Sequence, residues 1–167
     1  MNGFVCLDSS VLVKLLTWEE GSEAAAALMD EIVEKGQKVA LPGFAWAEVG
    51  SVLRQKVKRN EITAEEAEEA WQTFHRLKVV TYLDGGEALL RAWRISVAED
   101  LPTLYDAAYL AVTELKGDCE FWTADERLVS ILKGKKRNIK SLQADWQPPR
   151  IPGLPNNPDL KSSGSSS

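Results

Sequence analysis

Phe4-Val5-Cys6-Leu7-Asp8-Ser9-Ser10-Val11-Leu12-Val13-Lys14-Leu15-Leu16 is the stretch that decides the fold. Four consecutive apolar residues suit a short strand buried on both faces, the kind found in parallel sheets. The run ends at a carboxylate, Ser9 or Ser10 is placed to cap a helix, and apolar residues continue through Leu16. The pattern returns near the other end, where Phe121-Trp122-Thr123-Ala124 leads into Asp125 and a short helical run to Leu132. Two buried strands thus both finish at an aspartate. In open α/β sheets, the crevice outside the carboxyl ends of the strands is where ligands bind.

Between these landmarks, helical and strand periodicities alternate. Ser22 to Lys35 carries apolar residues at helical spacing and is closed by Gly36. Val39 to Leu41 reads as a strand stopped by Pro42-Gly43, and Phe44 to Val57 as a helix that contains Glu48. Thr63 with Glu66 three residues later forms a capping box opening a helix through Leu77. A strand at Val79 to Tyr82, a helix from Glu87 to about Glu99 and an interruption at Pro102 follow. Thr103 then caps a helix bearing Asp106 and stopped by Gly117. Strands at Glu120 to Thr123 and Ile139 to Leu142 complete a three-layer α/β/α fold, with a twisted, mostly parallel sheet of four to five strands.

A chain of 167 residues is long enough for one domain with a substantial core and too short for two ordinary ones. We assign residues 1–146 to that domain and residues 147–167, rich in Pro and Ser, to a tail that cannot pack a core. The longest apolar stretches fall far short of a membrane span, and no basic segment followed by an apolar one opens the chain. A cytoplasmic protein is therefore expected. Cys6 and Cys119 are too few for a disulfide scaffold and wrongly spaced for zinc, so both read as small buried hydrophobes. His75 is the sole histidine, which leaves Ser-His-Asp hydrolysis almost no material. No GxxxxGK[ST] or GxGxxG pattern signals a nucleotide site.

The net charge of -5 argues against a broad basic field for coating nucleic acid. Two local basic runs exist: Arg54, Lys56, Lys58 and Arg59, and then Lys133, Lys135, Lys136, Arg137 and Lys140. Each run fits either a phosphate track or a solvated face. Among the acids, Asp8, Asp106 and Asp125 suit either ordinary helix N-termini or a shared cleft. Glu48 lies mid-helix among Phe44, Ala45, Trp46, Ala47 and Val49, an apolar setting for a glutamate unless it finds a partner or faces solvent. If the four converge, their repulsion calls for a cation, and hard oxygen ligands suit magnesium or manganese.

The order and spacing of four segments resemble the PIN domain family, and within it the VapC-type toxin ribonucleases. They are Val5-Cys6-Leu7-Asp8-Ser9-Ser10-Val11-Leu12-Val13-Lys14, Ala47-Glu48-Val49, Tyr105-Asp106-Ala107-Ala108-Tyr109-Leu110-Ala111 and Trp122-Thr123-Ala124-Asp125-Glu126-Arg127-Leu128. The likeness spans about residues 3 to 145. It implies that Asp8, Glu48, Asp106 and Asp125 form an acidic metal-binding quartet holding Mg2+ or Mn2+, with Ser10 and Thr123 orienting the carboxylates. Glu126 is a loose match to a further acidic position.

The resemblance also implies an endoribonuclease acting on RNA, a cognate antitoxin and a homodimer. The helices at Phe44 to Val57 and Thr63 to Leu77 are apolar enough either to supply the dimer surface or to complete the core. The alternative is a PIN-like module that binds RNA or protein without cleaving. Glu19, Glu20, Asp84, Glu99, Asp100 and Asp118 suit surface, cap or loop roles better than a site.

Overall fold

The computed structural model describes residues 3–148; the proline- and serine-rich stretch from 149 onward lies outside the described residues. The elements are β1 (Phe4–Leu7), α1 (Ser9–Leu16), α2 (Ser22–Glu34), β2 (Lys38–Pro42), α3 (Ala45–Lys58), α4 (Ala64–His75), β3 (Val80–Leu83), α5 (Gly86–Ala98), α6 (Leu104–Leu115), β4 (Cys119–Thr123), α7 (Glu126–Leu132) and β5 (Ile139–Ser141). The five strands form one parallel sheet in the order β3-β2-β1-β4-β5. Chain order therefore runs outward from β1 to β3, then reverses and builds β4 and β5 on the other side. The carboxyl ends of β1 and β4 flank this reversal, the place where open parallel sheets leave a crevice.

Apolar runs become central strands because both faces are covered. Val5, Cys6 and Leu7 of β1, Val39, Ala40 and Leu41 of β2, and Phe121 and Trp122 of β4 are all buried. Helix α6 packs on β1, β2 and β4, with α5 laid against it, while α1 contacts α2, α3 and α4. Ala107, Ala111 and Val112 bring α6 close to the sheet. Each large aliphatic side chain sealed here contributes roughly 1.5–3 kcal/mol of burial free energy. Among the described residues, no helix is long and apolar enough to cross a membrane.

Local details depart from the sequence expectations in instructive ways. The cap of α1 is Asp8, whose carboxylate accepts from the Val11 amide, rather than Ser9 or Ser10. An aspartate places its acceptor where the third amide of the helix points, and so competes well for this position. The capping box at Thr63 and Glu66 forms as expected. Helix α4 stops at His75, two residues before Leu77, with the Arg76 amide closing its last turn. Gly36, at φ 64°, ends α2 in the left-handed region that glycine enters without strain.

Both cysteines are buried, and burial pushes their thiols up, Cys119 to about 11. His75 is exposed at the end of α4. Glu99 is more than a surface acid: its side chain is only 10% exposed and forms ion pairs with Lys135 and Arg137. These two cations of the second basic run are thereby tied to α5, and Arg137 also reaches Glu114 on α6. In the first run, Lys56 is held by Glu19 and Glu61, whereas Arg54 and Lys58 line a groove between α3 and α4.

Candidate metal centre

Asp8 leaves β1 at the switch point and is 5% exposed. Its neighbour across the sheet is the end of β4: Leu7 pairs with Trp122, and the Asp8 amide donates to the Trp122 carbonyl at 3.2 Å. One register step further, the Thr123 hydroxyl donates to Asp8 Oδ2. Ser10 donates its hydroxyl to Oδ1 and accepts the Ala124 amide at 3.0 Å, tying the two strand ends together. Burial drives the Asp8 carboxyl up to about 6. Ser10, Thr123 and the Val11 amide oppose that rise, and the nearby Asp106 charge adds to it. Three hydrogen bonds and, among the described residues, no ion-paired cation are a poor setting for a sealed carboxylate.

Asp125 follows β4 as the cap of α7, accepting from the Arg127 and Leu128 amides. Its own amide donates to Thr123 Oγ1 at 3.0 Å, so one hydroxyl links Asp125 to Asp8. Asp106 stands in the first turn of α6, where the helix dipole favours negative charge. Burial nevertheless pushes its carboxyl upward, opposed by Arg127 and reinforced by Asp125. The Arg127 guanidinium lies 3.4 Å from Asp106 Oδ2 and 3.2 Å from Asp125 Oδ2, so one positive charge is shared between two carboxylates. Capping thus does not keep these aspartates apart: Asp8 and Asp125 both cap helices and are joined through the Thr123 hydroxyl.

Glu48 is half-buried on α3, and its partner is the Tyr109 hydroxyl, which donates to Oε1 at 3.0 Å. Burial, together with the charges of Glu48 and Asp8, pushes that hydroxyl far above the ordinary phenol range. The structure therefore brings Asp106 and Asp125 onto one guanidinium, joins Asp8 to Asp125 through Thr123, and connects Glu48 to the helix of Asp106. As the side chains lie, no three acidic, thiol or imidazole groups among the described residues enclose a position for an ion. Glu126 is turned away, accepting from the Ser141 hydroxyl.

Tyr109 and Arg127 join this arrangement without a sequence signal as clear as that of the four acids. A tyrosine amid Ala107, Ala108, Leu110 and Ala111 on a buried helix was the available signal, because a buried phenol needs a hydrogen-bond partner. The donor set fits a hard divalent cation. Every candidate ligand is a carboxylate oxygen, Asp8 has no countercharge among the described residues, and a cationic guanidinium is already shared by the other two aspartates.

Residues 5–133 match the PIN domain. The chain belongs to the PIN domain family. It is 32% identical over 126 residues to Ribonuclease VapC3 of Pyrobaculum aerophilum, spanning 73% of this chain and 89% of that protein. Ribonuclease VapC9 of Mycobacterium tuberculosis is 31% identical over 113 residues, 65% of this chain and 85% of that one. Among solved structures, Mycobacterium tuberculosis VapC20, a Sarcin-Ricin loop cleaving toxin, aligns at TM-score 0.56 and 18% identity, over 75% of this chain and 94% of that chain. VapBC2 from Rickettsia felis, bound to a DNA fragment from their promoter, aligns at 0.60 and 10% identity, over 83% and 98%. At such identities the two structures speak to fold alone, and they agree with a PIN fold built on a parallel five-stranded sheet flanked by helices.

Proposed function

We propose that this PIN-domain chain is an Mg2+- or Mn2+-dependent endoribonuclease, the toxin of a toxin–antitoxin pair, with Asp8, Asp106, Asp125 and Glu48 as its working acids. The observation that carries the reading is the sealed Asp8 carboxylate at the β1–β4 switch point, coupled to two further aspartates that share a guanidinium. A protein accepts the cost of burying like charges where a bound cation repays it. The ribonuclease names of the sequence relatives supply the substrate class.

Asp8, Asp106 and Asp125 would hold the ion, and Ser10 and Thr123 would keep the Asp8 oxygens aimed. When bound, the ion supplies a water activated near neutral pH and neutralises phosphate charge. Glu48, carried by α3, would either ligate the ion through a water or accept the proton of the attacking water. Arg127, whose side chain is 57% exposed and which pairs with Asp106 and Asp125, would be available to a substrate phosphate if a bound ion took over those carboxylates.

An antitoxin partner follows from the same reading, because a ribonuclease toxin must be held inactive until released, and both partners belong in the cytoplasm with their RNA. A homodimer is supported by α5 rather than by α3 and α4. Leu89, Leu90, Trp93 and Val97 on α5 are each more than half exposed, an apolar face that a monomer would rarely leave in water. The deciding assay measures RNA cleavage with Mg2+ or Mn2+ by the parent chain and by Asp8→Asn and Asp106→Asn. Cleavage that needs the ion and is lost in both variants supports the proposal, and full activity in either ends it.

A further inference from the structure

We propose that Tyr109 is the positioning residue for Glu48, and that its hydroxyl claims one carboxylate oxygen so that Glu48 presents a single, fixed oxygen to the cleft. The inference rests on the metal-dependent reading above and adds a residue to it. A carboxylate can only accept, so the 3.0 Å contact is a bond donated by the phenol to Oε1. Glu48 is a three-torsion side chain on a half-buried helix face, and without an anchor its carboxyl would sample several rotamers. Holding a reacting group in one geometry is worth more than the strength of the contact itself, because catalysis responds steeply to orientation.

Tyr109 is itself rigid, as an anchor must be. It is 1% exposed. Its ring stacks on Phe121 of β4 with centroids 6.0 Å apart and meets the edge of Phe44 at 6.0 Å. Phe44 caps α3 and accepts the Glu48 amide with its carbonyl, so the same residue touches both ends of the pair. The Tyr109 carbonyl accepts from Thr113 at 2.9 Å and from the Cys6 thiol at 3.6 Å. Tyr109 also lies three residues after Asp106, one turn along α6. A single helix therefore carries one aspartate of the centre and the group that aims the glutamate of another helix.

The test is Tyr109→Phe, which removes one oxygen and keeps the stacked ring. The variant is compared with the parent, with Glu48→Ala and with the double substitution. We expect kcat for RNA cleavage or Mn2+ affinity measured by calorimetry to fall ~10- to 100-fold, the range found when outer partners of metal ligands are removed. KM for RNA and the melting temperature of the metal-free protein should stay close to the parent values. In the Glu48→Ala background, Tyr109→Phe should add nothing further. Unchanged kcat and Mn2+ affinity would overturn the proposal, as would an equal loss with and without Glu48, since that would mark a packing effect. Asp106→Asn separates the two levels of the argument. If it stays active, the metal-dependent reading falls and Tyr109's role with it; if it is dead while Tyr109→Phe is fully active, only the role of Tyr109 falls.

Discussion

Ionising Asp8 costs the fold free energy, and the sign of that cost makes a prediction. Its carboxyl titrates at about 6 in the folded chain against an ordinary 3.8, because burial outweighs the help from Ser10, Thr123 and Val11. The folded state therefore binds the proton more tightly than the unfolded state does. The resulting penalty is absent below pH 3.8, grows as pH rises toward 6, and is fully in force above it. A difference of this size corresponds to about 3 kcal/mol at neutral pH. Asp8→Asn should accordingly stabilise the metal-free protein by about 1–3 kcal/mol in urea melts at pH 7, less whatever the amide loses against Thr123, while abolishing cleavage. A variant that is both inactive and less stable would show that Asp8 serves the fold rather than the site.

At the scale of elements, the ion-pair cluster around Glu99 joins α5, α6 and the loop before β5. Its Lys135 contact is the main reason the Glu99 carboxyl sits below the ordinary range, followed by Arg137, with burial opposing both. A lowered acid stabilises above its unfolded value and loses that contribution as pH falls through the folded one, the opposite of Asp8. Glu99→Gln should cost about 1–3 kcal/mol at pH 7 by leaving two cations less well paired, and the cost should fade as pH falls below the ordinary 4.5, as read from thermal melts.

This cluster also shows where sequence reasoning stops. Apolar runs, the Thr63 box and Gly36 act within a few residues, so the elements and the three aspartates at their ends were legible. The Glu99 to Arg137 pair spans 38 residues and the Tyr109 to Glu48 bond spans 61, contacts that exist only once the end of α5 meets the loop before β5 and α6 meets α3. Periodicity is also silent on which apolar helix is left uncovered: α3 and α4 read equally as surface or core, and the large bare face on α5 carries no sequence mark of its own.

At the scale of the whole molecule, the face of α5 and the acidic crevice make separate claims. Trp93 is 60% exposed at the middle of the α5 stripe, where burial against a second copy would gain most. Trp93→Glu should shift the protein from dimer to monomer in light scattering and leave its helical content unchanged; a parent chain that is monomeric at every concentration would contradict the dimer. The crevice stands on the topology itself, since only the reversal between β1 and β4 brings residues 8 and 125 together across 117 positions of sequence. The most direct measurement of that convergence is anomalous diffraction from crystals grown with Mn2+. The account predicts one or two manganese peaks bounded by Asp8, Asp106 and Asp125, with Arg127 swung off the aspartates. Saturating Mn2+ with no peak in that crevice, and Arg127 still bridging Asp106 and Asp125, would contradict it.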